Sequence, residues 1–278
     1  MIGKDNKKLK AQLLISFSVL VVGIAGNSFT PFSPSIVGGM VDFLGFSLES
    51  AGRMASLEFS GIAAGTIASN LFLHRINISL KNIALTTLLI LLLCNISTLF
   101  VYSNMTLFSG LRFTAGLAAG VTWCVVAVAI TKLHNIERIT AIFYGTPYLM
   151  GAFGMWCLPG LYSDFGILGA YYLIIFICVL ALPFLLLFFP EGKNTQKLSA
   201  ESNSKEVKVE TQWISVSVLL FALYLNYVVN SGIWTYFERL GVSYGHASAT
   251  VSPVVGTSQL FALLGVFLAT VIGGRLGE

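Results

Sequence analysis

The chain has 278 residues, of which 56% are hydrophobic and only 10% charged, and its formal net charge is +4. A water-soluble domain of this size needs far more polar surface to cover its core, so this composition excludes that class. In lipid, by contrast, about 20 consecutive apolar residues span the hydrocarbon layer as a helix. The sequence therefore predicts an all-α polytopic membrane protein that lies in a lipid bilayer.

Eight apolar segments are long enough to be transmembrane helices. The first follows the basic leader "MIGKDNKKLK". It is too long for the core of a signal peptide, and no small-residue cleavage site follows it, so we interpret it as a retained first helix. The eight predicted spans lie at 11–33, 50–73, 80–102, 105–131, 140–162, 166–189, 212–235 and 248–272.

The distribution of basic residues predicts the orientation. Lys and Arg are retained on the cytoplasmic side of a membrane protein. With the N-terminus inside, 13 of the 16 Lys and Arg residues lie on the inner side. We therefore expect an integral protein of the plasma (inner) membrane with a cytoplasmic N-terminus. The 13 residues are Lys4, Lys7, Lys8, Lys10, Arg75, Lys81, Lys132, Arg138, Lys193, Lys197, Lys205, Lys208 and Arg275.

A polar stretch after the sixth span divides the chain. Residues 190–211 contain four Lys and four Glu and show no periodicity that would bury a face. This composition is typical of a flexible or loosely helical linker. We predict a six-helix bundle at 1–189, a cytoplasmic linker at 190–211 and two further helices at 212–278.

Short sequence similarities connect the two sides of the linker. "LGFS" at 44–47 follows the first span, and "LGVS" at 240–243 follows the seventh. "GTIASNLFLHRI" at 65–76 aligns with "GVFLATVIGGRL" at 265–276, so that Arg75 and Arg275 coincide. Parallel repeats of this kind occur in one large transporter architecture.

Two charges lie inside predicted spans, Glu58 in the second and Arg112 in the fourth. A charge within the bilayer usually faces a partner or a watery cavity. Both residues lie roughly 10–12 Å from the outer boundary at ~1.5 Å per residue, which suggests an ion pair. Pairs of glycines four residues apart on the same two spans predict close helix packing. These glycines are Gly61, Gly65, Gly116 and Gly120.

The residues that most often carry enzyme chemistry show no catalytic pattern. The three histidines fall at loops or helix ends on different sides, and the four cysteines lie within predicted spans without metal-ligand spacing. No carboxylate cluster or nucleophile motif appears. We therefore expect no enzyme activity, no metal, no cofactor and no nucleic acid partner.

The segment "GLRFTAGLAAG" at 110–120, together with "SAGRMASLEFSGIAAGTIASNLFLHR", the central linker and "GIWTYFERLG", resembles the major facilitator superfamily. Arg112, Gly116 and Gly120 reproduce the arginine and spaced glycines of the family's fourth helix. Arg75 and Arg275 match basic residues of its loop motifs, whereas the antiporter-type motif of its fifth helix is not matched. The resemblance implies a secondary transporter, a symporter or an antiporter, that works by alternating access.

The resemblance also implies which residues take part in coupling and in substrate binding. For the Glu58–Arg112 pair it implies coupling to protons or substrate, and the alternative is an ion pair that only fixes helix register. Glu238 and Arg239 suggest either a gate or a wet interfacial pair, and we favour the second, with Trp234 and Tyr236 as membrane-interface aromatics. The implied candidates for the substrate cavity are Asn27, Phe29, Trp123, Tyr144, Tyr148, Tyr224, Asn226, Tyr227 and Asn230.

The number of spans leaves two functional alternatives. Members of the family have twelve helices, and eight are predicted here. The chain is therefore either a truncated or fragmentary form of a transporter or a non-transporting remnant, sensor or partner protein. For a transporter, one buried arginine, few acids and many aromatic residues favour a small organic anion or amphipathic metabolite as the solute.

Overall fold

The computed structural model describes residues 2–73, 75, 78–134, 136–192 and 213–276, with the side chains of 2–9 and 269–276 excepted. The described part of the chain is built from α-helices, as the composition predicts, and the all-α fold class is confirmed. The helices are α1 (Ile2–Gly26), α2 (Phe29–Leu44), α3 (Leu48–Phe72), α4 (Leu80–Val101), α5 (Met105–Ile130), α6 (Ile136–Phe165), α7 (Leu168–Phe188), α8 (Trp213–Ser243) and α9 (Ser248–Leu276).

Within the described residues, six segments are long and apolar enough to cross a membrane, judged by length and composition alone. The helices α3 and α6 are also long, at 25 and 30 residues, but lie outside this group. Small and polar residues lower their mean hydropathy, and both helices pack against several others. Their low hydropathy is compatible with a position inside a helix bundle, where less of the surface meets lipid.

The first predicted span, 11–33, lies within one candidate membrane span, Lys10–Leu44, which extends beyond the predicted end and is interrupted at 27–28, between α1 and α2. The cause is a pair of prolines, Pro31 and Pro34, neither of which has an N–H to donate to the carbonyl four residues earlier. Restarting two residues before Pro31 places this proline in the first turn of α2, where an N–H has no partner within the helix. The helix α2 then ends at Gly45, whose φ of +67° is the left-handed conformation that glycine adopts without strain.

The helices α1 to α7 form one bundle, called here the first bundle. Within it α5 packs against α3 and α4, while α7 packs against α1 and α4. The remaining two helices dock on this bundle separately, α8 on α2 and α9 on α6. The predicted linker at 190–211 falls almost wholly on residues outside the described part, so its character stays a prediction.

An ion pair holds the start of α4 to the segment after α7. Lys81 Nζ lies 2.9 Å from Glu191 Oε1. The hydrogen bond from Lys81 and its positive charge lower the pKa of the Glu191 carboxyl. The backbone supports the same contact, since the N–H of Leu80 donates to the carbonyl of Gly192. These contacts place the α3–α4 loop and the end of α7 at the same end of the bundle.

The sequence similarity between 44–47 and 240–243 does not extend to equivalent conformations. Gly45 ends α2 with a positive φ, whereas Gly241 lies inside α8, and the following turn uses Gly245 at a φ of +89°. The second pair of similar segments, 65–76 and 265–276, also differs, here in what surrounds the leading glycine. Gly65 contacts the backbone of α5, whereas a Cβ added at Gly265 would meet no described atom within 4 Å.

Candidate functional site

Arg112 lies at the centre of a polar cluster inside the first bundle. Its side chain is fully buried, and its Nη1 lies 3.4 Å from Oε2 of Glu58, which is also buried. Nη1 also donates to Asn95 Oδ1 at 3.2 Å. Nη2 donates to Thr98 Oγ1 at 2.6 Å and to the Cys94 carbonyl at 3.5 Å. The guanidinium therefore has one carboxylate and three neutral acceptors around it.

Two aromatic rings complete the surroundings of this arginine. Its guanidinium carbon lies 4.9 Å from the ring centroid of Tyr171 and 5.7 Å from that of Phe108. Aromatic faces attract cations, and they do so more strongly where water is excluded. Arg112 is thus stabilised by charge, hydrogen bonds and ring faces together. Within the described residues all of these contacts come from α3, α4, α5 and α7.

The sequence analysis predicted the Glu58–Arg112 pair but missed the contribution of α4. Asn95 and Thr98 lie one turn apart in a helix that is otherwise strongly apolar. Spacings of three and four residues place side chains on the same face of a helix. Two polar residues on one face of such a span were therefore a usable signal, because each must find a partner away from lipid.

Below this cluster, α3 and α5 approach each other along four glycines. Gly61 and Gly65 face α5, and Gly116 and Gly120 face α3. At each position a Cβ would overlap a carbonyl oxygen of the opposite helix, so only glycine permits this separation of the two backbones. The oxygens belong to Phe113 for Gly61, Leu117 for Gly65, Glu58 for Gly116 and Ile62 for Gly120.

A second charged cluster joins α2 to α8 and α9. Both terminal nitrogens of Arg239 lie 2.7 Å from the carboxylate oxygens of Asp42, which makes the ion pair bidentate. Arg239 Nη2 also lies 3.3 Å from Glu238 Oε1, and Ser248 Oγ donates to the same oxygen. Glu238 packs on Gly38, where an added Cβ would lie 2.7 Å from both carboxylate oxygens.

The interpretation of Glu238 and Arg239 as a wet interfacial pair is therefore wrong. Glu238 is fully buried, and the side chain of Arg239 is 8% exposed. Burial of a charge requires pairing and hydrogen bonding, which Asp42 and Ser248 supply from other helices. Asp42 was missed because its partner lies 197 positions away along the chain.

Two aromatic residues of α8 reinforce the same contact. Trp234 Nε1 donates to the carbonyl of Thr30 at 3.2 Å, and Tyr236 Oη donates to the carbonyl of Leu48 at 3.3 Å. The carbonyl of Thr30 is available because Pro34, four residues later, has no N–H to give it. These aromatic residues, predicted to lie at the membrane interface, thus hydrogen-bond to the first bundle.

Replacing Arg239 with glutamine should weaken the attachment of α8 to α2. Asp42 is 39% exposed, which reduces the value of the pair, and we expect a loss of about 1–2 kcal/mol, or roughly tenfold in the ratio of detached to attached forms. The measurement is the rate at which an impermeant maleimide labels a cysteine placed at Thr30, with Cys124 and Cys157 replaced by serine.

The matched control for this labelling experiment is Arg53→Gln. Arg53 is exposed at the start of α3, at the same end as Arg239, and donates a hydrogen bond only to the nearby Ser50 among the described residues. It should leave the labelling rate unchanged. Equal rates in Arg239→Gln and the unchanged protein would show that the ion pair does not hold α8 to α2.

The predicted cavity residues lie in several parts of the described structure. Phe29 is buried against Phe59, with ring centroids 5.7 Å apart, and Asn27 lies half-buried at the break before α2. The ring of Trp123 lies tilted against that of Phe143, with centroids 4.2 Å apart, and edge-on to that of Tyr144, with centroids 6.2 Å apart. Four further candidates lie on the exposed part of α8: Tyr224, Asn226, Tyr227 and Asn230.

The structure also shows where the other predicted site residues lie. Asn226 and Asn230 line a shallow groove of about 440 Å³ on α8. Tyr144 and Tyr148 on α6 are exposed, as is Arg75 in the α3–α4 loop. Arg275 belongs to α9, and its side chain lies outside the described residues.

Among the residues that the structure describes, no group of three or more His, Cys, Asp or Glu side chains has the arrangement of a metal site.

The geometry defines a class of protein, a helical membrane protein whose α8 and α9 meet a bundle through a buried charge cluster. The family model of the Major Facilitator Superfamily matches residues 15–278. The chain belongs to this superfamily, which confirms the resemblance seen in the sequence. It is accordingly an integral membrane protein of a transporter family.

A solved structure gives an independent comparison of the fold. It comes from a study titled "Structural insights into substrate recognition in proton dependent oligopeptide transporters", and its TM-score is 0.58 at 16% identity. The alignment covers 94% of this chain and 54% of that chain, so the present chain spans about half the length of the solved one. At this identity the likeness establishes the fold alone. No curated protein gives a significant match.

Proposed function

We propose that the chain acts in the secondary transport of a small organic solute by alternating access, coupled to protons. The observation that carries this proposal is the Asp42–Arg239–Glu238 cluster between α2 and α8, which lies between the first bundle and the helices that follow the linker. Secondary transporters of this architecture rock two repeats against each other around a central site. A charged contact between the two parts is suited to holding one end closed in one state.

The two ends of the molecule differ in a way that supports this proposal. At the end with the α2–α3 and α8–α9 turns, the charge cluster and the hydrogen bond from Tyr236 to Leu48 join α8 to the first bundle, and Trp234 bonds to Thr30 at the far end of α2. Towards the other end, residues 213–233 of α8 are exposed throughout the described structure. In a transporter of this architecture, a contact concentrated at one end would close one side of the central site.

The charges of the two ends support the proposed orientation. Arg75, Lys132 and Arg138 are exposed at the end where Lys81 pairs with Glu191. Basic residues of this kind are retained in the cytoplasm, so we propose that this end is cytoplasmic and that the plasma (inner) membrane holds the protein. The Asp42–Arg239 contact then lies on the outer side.

Two buried carboxylates are candidates for carrying the coupled proton. Glu58 makes its ion pair with Arg112 inside the first bundle, whereas Glu238 shares the single guanidinium of Arg239 with Asp42. Two carboxylates on one arginine leave one negative charge uncompensated, which a proton would neutralise. The contacts of Arg112 within one bundle favour a role in packing, and those of Glu238 between helices that rock favour a role in coupling.

Uptake by purified full-length protein in proteoliposomes tests the proposal. A panel of small organic anions and amphipathic metabolites is offered with an inward proton gradient and without one. We expect at least one solute to accumulate several-fold more with the gradient, and Glu238→Gln to abolish that difference. If Glu58 carries the proton instead, Glu58→Gln should abolish it and Glu238→Gln should not.

The control for both variants is Glu49→Gln, since Glu49 is exposed in the first turn of α3. It should transport as the unchanged protein does. Folded protein that moves no solute under either condition would contradict the transport proposal. Gradient-driven uptake that survives both Glu58→Gln and Glu238→Gln would contradict these assignments of the proton site.

A further inference from the structure

Two grooves flank the start of α6, and neither belongs to the charge clusters described above. The larger, of about 700 Å³, lies between α1 and the α5–α6 turn. The smaller, of about 360 Å³, lies between α6 and α9. Arg138 and Ile142 line both grooves, so this part of α6 forms a ridge between them.

The end of the ridge at the turn is basic. Arg138 is exposed and forms no ion pair with any described residue. Lys132 and His134 line the larger groove from the α5–α6 turn, and Lys132 also lies close to the backbone at Gly192. The acid in the same turn, Glu137, lines neither groove. At the shared end of the two grooves, Arg138 therefore offers positive charge to a ligand.

The walls of both grooves are apolar beyond this basic end. The larger groove runs along Leu13 and Phe17 of α1, which are 62% and 50% exposed. The smaller groove runs along Leu149 of α6 and Phe267 of α9, which are 56% and 63% exposed. Each groove thus provides an apolar surface that a hydrocarbon chain would remove from water or order in lipid.

We propose that this ridge binds one anionic phospholipid, with its phosphate at Arg138 and one acyl chain in each groove. A phospholipid has one charged head and two apolar chains, and the two grooves meet at one basic position and separate on either side of Ile142. Basic pockets between transmembrane helices at the cytoplasmic face bind anionic lipid head groups. A free phosphate would bind only at the basic end and would leave both grooves empty. A zwitterionic lipid would fill the grooves with its acyl chains, but its head group has no net negative charge to attract Arg138.

Retention of basic residues on one side of the membrane does not explain this arrangement. That rule places Arg75 at the same end of the molecule, and Arg75 is exposed but lines neither groove. What distinguishes Arg138 is its position between two apolar grooves. Arg75 is for this reason the matched control for the site.

Native mass spectrometry of the purified full-length protein in detergent tests the proposal. Phosphatidylglycerol and phosphatidylcholine with the same acyl chains are titrated separately. A basic residue near a charged lipid head is worth about fivefold in affinity. We expect Arg138→Gln to weaken phosphatidylglycerol binding about fivefold and leave phosphatidylcholine unchanged, and Arg75→Gln to change neither. Ile142→Trp, which fills the grooves without altering charge, should weaken both lipids.

Three results would overturn the proposal. The first is an unchanged preference for phosphatidylglycerol in Arg138→Gln, and the second is equal binding of both lipids to the unchanged protein. The third is competition by glycerol phosphate as effective as that by the intact lipid, which would indicate a site for soluble phosphate. Because binding is read without transport, failure of the proposed transport function leaves this test unaffected. If Arg138→Gln does not fold, Ile142→Trp still decides whether the grooves hold the chains.

Discussion

Replacing Arg112 with methionine should reduce the free energy of unfolding by about 3–5 kcal/mol, because it leaves the Glu58 carboxylate buried without its partner. Glu58→Gln should cost less, since Arg112 keeps Asn95 and Thr98 as acceptors. The double variant carries no charge at the site and should be more stable than Arg112→Met alone. The measurement is thermal unfolding in detergent, followed by the loss of the monodisperse peak in size-exclusion chromatography.

This comparison forms a double-mutant cycle, which isolates the interaction between the two residues. Arg53→Met is the control for loss of an arginine, because Arg53 is exposed, and we expect it to unfold at the temperature of the unchanged protein. A double variant that is less stable than Arg112→Met alone would show that the ion pair is not what holds Arg112 in place. The aromatic faces and the acceptors on α4 would then dominate.

Replacing Gly116 with alanine should destabilise the protein by about 1–3 kcal/mol, although it adds a single methyl group. The added Cβ would overlap the carbonyl oxygen of Glu58, and a backbone oxygen in a helix has no room to move aside. The two helices must then separate and give up contacts along their whole interface. The same thermal unfolding measurement reports this effect.

Gly110→Ala is the matched control, because Gly110 lies on the same helix and a Cβ there would meet nothing within 4 Å in the described part of the chain. Alanine inside a helix lowers the free energy of the helical state by about 1 kcal/mol relative to glycine. This variant should therefore be as stable as the unchanged protein or slightly more so. Equal unfolding temperatures for the two variants would contradict the close contact between α3 and α5.

The sequence predicted best those features that a local pattern specifies. Arg112 and Glu58 stood out because each is a lone charge in an apolar span, and the glycines of α3 and α5 because their four-residue spacing repeats on one helix face. The break before α2 had a local signal in Pro31 and Pro34, but the apolar run continued through them. Length and hydropathy alone therefore predicted the span but neither its internal break at 27–28 nor its extension to Leu44.

Features that depend on distant parts of the chain were the ones that sequence reasoning missed. Asp42 stands near a helix end, where a charge needs no special explanation, and only the docking of α8 reveals its pairing with Arg239. Trp234 is in the same situation, because its acceptor is a backbone carbonyl on α2. The cavity residues of α8 stay predictions, since the described structure leaves them exposed.

The glycine contact between α3 and α5 also decides where the protein has freedom to move. At all four glycines an added Cβ would overlap a backbone oxygen of the other helix, so the two backbones fit together at one separation along this stretch. The two helices must therefore travel as a single rigid body during any conformational cycle. Displacement is left to surfaces such as that between α2 and α8, where hydrogen bonds and ion pairs from side chains join the helices.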